Sequence, residues 1–143
     1  MQHGAQGRIV HTHMSEPPEH PETQGQCPFC TEAASSEHVV AEFGTVVAIA
    51  DLAPVAEGHL LIITRRHTED LFSMTAQEQA DAMTLAGMLR RRALAGDPGV
   101  TGFTVGANCG SSAGQQVMHA HIHFIPRRGD TPIKGAIRNK MAY

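Results

Sequence analysis

The chain has 143 residues, which is the length of a single domain with one hydrophobic core. Its formal net charge is -3 and its isoelectric point is about 6.3, values that argue against a nucleic-acid surface held by electrostatics. No apolar run approaches the roughly eighteen residues of a membrane span, and no signal-peptide core is present. We therefore expect a cytoplasmic protein whose partners are neither nucleic acid nor membrane.

The first ordered segment is predicted to begin near Cys27. Residues 1–24 are polar, contain Pro and Glu and lack apolar periodicity, so we expect a disordered leader there and a folded domain over residues 25–143. The pair Cys27-x-x-Cys30 follows the leader. In a chain with three cysteines this pair is more typical of half a metal site than of a disulfide framework, and two reduced thiols are the alternative.

Three strands and a long helix are predicted next. Residues 38–43 and 46–50 predict a hairpin, and residues 59–64 predict a third strand. A capping box at residues 75–78 opens a helix that is expected to end near Leu94, because apolar residues recur there at helical spacing.

The two remaining strands are predicted at residues 103–107 and 117–125. The second contains His119-Ala120-His121-Ile122-His123, and alternate residues of a strand project from one face. Three imidazoles therefore line up at roughly 6.6–6.8 Å per step. The preceding residues 108–116 are small and rich in backbone donors, so this region suits holding and attacking a phosphate. A three-histidine zinc site is the alternative.

The order strand, strand, strand, helix, strand, strand indicates the α+β class. We expect a five-stranded antiparallel sheet meander, one long helix on one face and a short N-terminal zinc knuckle. The tail from Arg127 is expected to be irregular.

The segment from His119 to Ile125 matches the His-φ-His-φ-His-φ-φ signature of the histidine triad (HIT) superfamily of nucleotide hydrolases and transferases. Residues 58–67 resemble the Gly-His-strand-basic-His segment of that family, and residues 51–54 resemble its preceding aspartate turn. The resemblance extends from Cys27 to about residue 130. It implies the same five-stranded fold and a homodimer.

The resemblance also implies catalytic roles. His121 is the expected nucleophile toward the α-phosphorus of a nucleotide, giving a nucleotidyl-histidine that water cleaves. His123 and His59 would contact the non-bridging phosphate oxygens, Gln116 would reach the leaving-group oxygen, and no catalytic metal is required. The implied substrate-binding residues are Asp51 on the ribose, Asn108, Gly114 and Gln115, with Val39, Phe43 and Leu52 as walls for the base.

Some bacterial members of this superfamily bind one structural zinc per chain. The corresponding ligands here are Cys27, Cys30, His67 and His119. A zinc-storage or metal-sensing protein is the competing hypothesis, and it would bind more than one zinc per chain.

The residues after the triad, 126–130, resemble the ending of bacterial HIT and fragile-histidine-triad hydrolases. This favours an AMP-containing dinucleoside polyphosphate as the substrate. Gln116 stands where Ser or Thr is common in the family, which leaves the leaving-group preference open. The alternatives are a purine nucleoside phosphoramidase and a nucleotide-binding or scaffold protein with little turnover.

Overall fold

The computed structural model describes residues 27–129, so the predicted leader and the tail from residue 130 lie outside the described residues. No helix in the described part of the chain is long and apolar enough to cross a membrane. The elements in chain order are α1 (Pro28–Ala34), β1 (Val39–Phe43), β2 (Val46–Ala50), β3 (Leu60–Thr64), a 3-10 turn (Leu71–Ser73), α2 (Ala76–Gly96), β4 (Val100–Gly106), a second 3-10 turn (Ser111–Ala113) and β5 (His121–Arg128).

The five strands form one antiparallel sheet in the order β1-β2-β3-β5-β4. The expected five-stranded antiparallel sheet with a long helix is confirmed. The path is a meander through β3, after which α2 carries the chain to the outer strand β4. Strand β5 then returns between β3 and β4, which places the histidine segment inside the sheet.

The structure differs from the sequence prediction mainly in β4, β5 and α1. Strand β4 begins at Val100 rather than at residue 103. Strand β5 begins at His121 rather than at residue 117 and continues to Arg128, so the described start of the tail is strand rather than irregular. Residues before β5 leave the ladder because the Ala120 amide donates to the carbonyl of Thr68, 2.7 Å away. Helix α1 was not predicted, because a helix of seven residues is too short for a periodic pattern.

The sheet has two differently covered faces. One face packs against α2, and its core includes Val46, Ala48, Ile62, Leu85 and Phe124. The opposite face carries a second cluster, with Val47, Ile49, Leu61 and Ile63 packed against α1 and Val39. Ala120 and Ile122 belong to the helix-side core, so His121 and His123 face the opposite side, as the strand periodicity predicts. His119 precedes β5 and is not part of this strand face.

A buried carboxylate at the start of α2 connects this helix to the end of β3. Glu78 and Thr75 form a capping box, and Glu78 Oε1 and Oε2 accept from Arg66 Nη2 and Nε at 2.7 and 3.2 Å. The Glu78 side chain is 4% exposed. The hydrogen bond from Arg66 is the main reason that the pKa of Glu78 lies below its ordinary value.

We expect Glu78→Gln to lower the free energy of unfolding by about 1–2 kcal/mol, because it weakens both the cap and the charged pair. A carboxyl whose pKa is lowered by folding stabilises the folded state above its unfolded pKa, and this contribution is lost as the pH falls through the folded value. Urea denaturation between pH 3 and 7 should therefore show that the free energy of unfolding of the variant falls less steeply than that of the wild type as the pH is lowered.

The matched control is Glu42→Gln, which removes the neighbouring but exposed pair of Arg65 and Glu42 at 2.7 Å. Its effect should stay within about 0.5 kcal/mol. Equal losses in the two variants would contradict the importance assigned to Glu78.

Candidate active site and metal centre

A pocket of about 460 Å³ opens on the α1 side of the sheet. Strands β2, β3 and β5, helix α1 and the loop before β5 contribute to its wall. The apolar lining consists of Pro28, Phe29, Ile49, Ala50, Leu52, Ala53, Leu61 and Val117, and the remaining lining residues are Glu32, Asp51, Asn108, Gly114, Gln116, His121 and His123.

The tautomer of His121 follows from its contact with the preceding backbone. Its Nδ1 lies 2.7 Å from the carbonyl oxygen of His119. A carbonyl oxygen only accepts, so Nδ1 carries the proton and the neutral ring keeps a lone pair on Nε2. Burial is the main cause that lowers the pKa of His121, opposed by this carbonyl and by Asp51. The pocket wall therefore presents a neutral imidazole with a free lone pair.

His123 presents the opposite tautomer because of His59. The amide of Val55 donates to His59 Nδ1 at 3.2 Å, so neutral His59 carries its proton on Nε2. That nitrogen lies 2.9 Å from His123 Nδ1 and 3.3 Å from Asp51 Oδ2. His123 accordingly accepts at Nδ1 and carries its own proton on Nε2. A lone pair on His121 and an N–H donor on His123 thus lie side by side, with their rings 5.4 Å apart.

The position of His59 differs from the sequence expectation. It is 2% exposed and is not among the described residues that line the pocket. It packs against His123, at 5.2 Å between ring centroids. His59 is therefore placed to set the orientation and tautomer of His123, and its expected contact with a phosphate stays a prediction.

Asn108 presents a buried acceptor at the pocket wall. Its Nδ2 donates to the carbonyl of Ala113 at 2.6 Å. Within the part of the chain that the structure describes, its Oδ1 is buried and has no hydrogen-bond partner. A buried unsatisfied acceptor is costly, so this atom is a natural partner for a hydroxyl of a ligand.

The other loop residues divide into two groups. Gly114 and the exposed Gln116 line the pocket, as the resemblance implies. Gln115 does not line it: its Oε1 accepts from the Gly110 amide at 2.8 Å and its Nε2 donates to the carbonyl of Glu69 at 2.7 Å. Gln115 therefore braces the loop, and its expected substrate-binding role stays a prediction.

The resemblance implies three residues that would contact the base of a nucleotide, and one of them lines the pocket. Leu52 lines it, whereas Val39 and Phe43 are not among its described lining residues. Ile49 and Leu61 also line the pocket, and they are directly paired across β2 and β3 on the α1 side. A period of two along both strands was the available signal for these residues.

A second cluster lies beside the pocket. The predicted ligands Cys27, Cys30, His67 and His119 place their ligand atoms within 4.8 Å of one another. Cys27 Sγ is 3.4 Å and Cys30 Sγ is 3.6 Å from His119 Nδ1, and Cys30 Sγ is 3.2 Å from His67 Nδ1. Neighbouring S and N ligands on a tetrahedral zinc are about 3.5 Å apart, so the donor set fits zinc.

The hydrogen bonds of this cluster also fit a metal. His119 Nε2 lies 2.7 Å from the carbonyl of Thr64, the orientation in which a metal-bound histidine donates its other N–H. Burial lowers the pKa of His119, which favours the neutral imidazole that metals bind. Burial is also the main cause that raises the pKa of the Cys30 thiol to about 11, and Cys27 adds to it. A cation that displaces the thiol protons relieves this cost.

The three-histidine zinc alternative does not fit this arrangement. Both ring nitrogens of His119 are engaged elsewhere, Nδ1 beside the two cysteine sulfurs and Nε2 at the carbonyl of Thr64. Asp51, His59 and His123 do bring their ligand atoms within 4.8 Å of one another. However, His59 Nδ1 accepts an N–H from Val55, whereas a metal-bound histidine normally donates from its second nitrogen.

Helix α1 joins the metal cluster to the pocket. Phe29, which lies between the two cysteines, packs edge-on against His121 at 5.1 Å and 81° and against His119 at 6.0 Å. His119 also supplies the carbonyl that orients His121. A metal bound by this cluster therefore supports the site without touching a ligand in the pocket.

Comparison with known proteins agrees with this geometry. The HIT domain family model matches residues 32–130. A Zn-bound histidine triad family protein from Mycobacterium smegmatis has a TM-score of 0.71 and 26% identity over 78% of this chain and 82% of that chain. A HIT family hydrolase from Clostridium thermocellum has a TM-score of 0.61 and 30% identity over 77% of this chain and 97% of that chain. The AP-4-A phosphorylase of Mycobacterium tuberculosis (strain CDC 1551 / Oshkosh) is 35% identical over 92 residues, which are 64% of this chain and 47% of that protein.

The antiparallel sheet, the histidine row and the family match over most of the chain lead to one conclusion. The chain belongs to the HIT family.

We expect the purified protein to bind about one zinc per chain, and Cys27→Ser or Cys30→Ser to reduce the metal content to near zero. Elemental analysis of protein prepared without added chelator measures this. The matched control is Cys109→Ser, because Cys109 is outside the four-residue cluster. A second equivalent of zinc that is lost in His123→Ala would instead favour the metal-storage hypothesis.

Proposed function

We propose that this protein hydrolyses a nucleotide at its α-phosphate through a covalent nucleotidyl-histidine, releasing a nucleoside monophosphate. The observation that carries this proposal is the pairing of opposite tautomers on β5. His121 offers a lone pair to phosphorus, and His123 offers an N–H to a phosphate oxygen. Dinucleoside polyphosphates are the proposed substrate class.

In the first step His121 Nε2 attacks the α-phosphorus. An N–P bond forms, the bond from phosphorus to the leaving phosphate oxygen breaks, and the electron pair of that bond leaves with the oxygen. The ring becomes positively charged. Its Nδ1–H remains hydrogen-bonded to the His119 carbonyl, and this hydrogen bond stabilises the charge. The His123 N–H stabilises the developing charge on the non-bridging oxygens.

In the second step a water molecule attacks the same phosphorus. A new P–O bond forms, the N–P bond breaks and its electron pair returns to His121. The proton of the water leaves to solvent or to the phosphate product.

Gln116 is proposed to act in the first step. It lies at the exposed side of the pocket, where its amide can donate to the oxygen that leaves in that step.

The nucleoside is proposed to occupy the rest of the pocket. Asn108 Oδ1 accepts from a sugar hydroxyl, which satisfies a buried atom that otherwise has no described partner. Asp51 lies on the same wall, with Oδ1 bonded to the Ala53 amide at 2.8 Å. Its carboxylate can accept from a second ribose hydroxyl. The base rests against Phe29, Ile49 and Leu61.

Zinc is proposed as a structural ion held by Cys27, Cys30, His67 and His119. It would supply a crosslink between α1 and the segments that flank β3 and β5. A homodimer and a cytoplasmic location, both expected from the sequence, belong to the same proposal.

The choice between polyphosphate and phosphoramidate substrates follows from a relative and not from a contact in the pocket. The relative named AP-4-A phosphorylase supports the polyphosphate class. The two arginines after the triad make contacts within the fold. Arg128 forms an ion pair with Asp97 at 2.8 Å, and Arg127 Nε donates a hydrogen bond to Thr104 Oγ1 at 3.1 Å. They are not among the described residues that line the pocket, so they do not discriminate between substrates by direct contact.

We expect His121→Ala to lower nucleotide release by about a thousandfold or more, because it removes the nucleophile. AMP binding, measured by calorimetry, should persist because the other residues that line the pocket are unchanged. Rapid quenching in an alkaline denaturant, which preserves the acid-labile N–P bond, should trap nucleotidyl-enzyme in the wild type and none in the variant. A variant that still forms the covalent species would contradict the assignment.

The substrate class is tested by measuring AMP release from Ap4A and from an adenosine phosphoramidate in parallel. We expect a higher kcat/KM for Ap4A. Faster release from the phosphoramidate would favour a phosphoramidase. Tight AMP binding without release from either compound would favour a nucleotide-binding protein.

A further inference from the structure

A carboxylate lies on the otherwise apolar α1 wall of the pocket. Glu32 lines the pocket, its side chain is 32% exposed, and Phe29 and Pro28 are its neighbours on the same helix. His38 Nδ1 donates to Glu32 Oε2 at 2.6 Å. Nothing in the proposed phosphate chemistry uses this group.

The position of Glu32 relative to the histidines indicates which part of a nucleotide it meets. Phe29 contacts the His121 ring, so the start of α1 lies near the phosphate. Glu32 follows three residues later, on the same side of the helix and about 4.5 Å farther along its axis. A base that rests on Phe29 and extends away from the phosphate therefore turns an edge toward Glu32.

We propose that Glu32 makes this site selective for guanine over adenine. This inference rests on the proposed function, because it assigns the base of the same nucleotide. A glutamate carboxylate only accepts hydrogen bonds. The pairing edge of guanine offers two adjacent donors, N1–H and the 2-amino group, which match the two oxygens of a carboxylate.

Adenine is a poorer match on the same edge. It offers one donor, the 6-amino group, beside an unprotonated N1 whose lone pair faces the second carboxylate oxygen. Rejection of this kind arises because polar groups of the site are left unpaired. His38 strengthens the discrimination because its bond to Oε2 holds the carboxylate in place, and the oxygens retain further lone pairs for the base.

The test compares Gp4G with Ap4A, which differ only in the base. For the wild-type protein we expect kcat/KM to favour Gp4G by about tenfold, a modest ratio because Glu32 is partly exposed to water. Glu32→Gln should reduce the ratio to about one or below, since the amide of glutamine offers one donor and one acceptor and matches adenine. The matched control is Glu37→Gln, an exposed residue outside the pocket lining, which should leave the ratio unchanged.

A wild-type ratio near one, or a ratio that Glu32→Gln leaves unchanged, would overturn the proposal. Zinc content equal to that of the wild type verifies that α1 remains in place in the variant. If neither dinucleotide is hydrolysed, the proposed function fails, and calorimetry with GMP and AMP then tests the base preference separately. Tighter GMP binding that is lost in Glu32→Gln would support the role of Glu32, and equal affinities would refute it.

Discussion

The hydrogen bond from His121 Nδ1 to the carbonyl of His119 is the contact on which the site depends. It fixes which nitrogen of His121 keeps a lone pair, and its acceptor belongs to a residue held by the metal cluster. The same residue bonds Thr64 at the end of β3 through its imidazole. One short segment before β5 therefore joins the sheet, the cysteine–histidine cluster and the His121 ring, so a shift of His119 would disturb all three.

Burial and hydrogen bonding act together on the histidines. Desolvation favours neutral imidazoles, and their partners then decide where the remaining proton lies. His121 has a carbonyl partner and keeps Nε2 bare, whereas His123 has a donor partner in His59 and keeps Nε2 protonated. Two chemically identical side chains thereby acquire complementary roles. Helix α1 contributes by packing Phe29 edge-on against the His121 ring.

Sequence reasoning succeeded where a short pattern carries the information. The alternation of histidines with apolar residues predicted which face of β5 packs on α2, and the capping box predicted the start of α2. It was less successful for side chains whose contacts come from residues that are distant in the sequence. The sequence pattern did not show that the Gln115 amide braces the loop against Glu69, 46 residues earlier in the chain. Helix α1 carried no periodic signal because it has only seven residues. Its stability comes from packing against the sheet.

The sequence by itself determined the chemical inventory of this protein: the HIT signature, a Cys-x-x-Cys pair with two matching histidines, and an alternating pattern that fits one strand face. Only the tertiary structure decided how that inventory is divided. It directs His119 to Cys27, 92 residues away, and places His59 behind His123. The physical reason is that a histidine pattern specifies side-chain direction, whereas tautomer, charge and ligand choice depend on the partners that folding brings within hydrogen-bond distance.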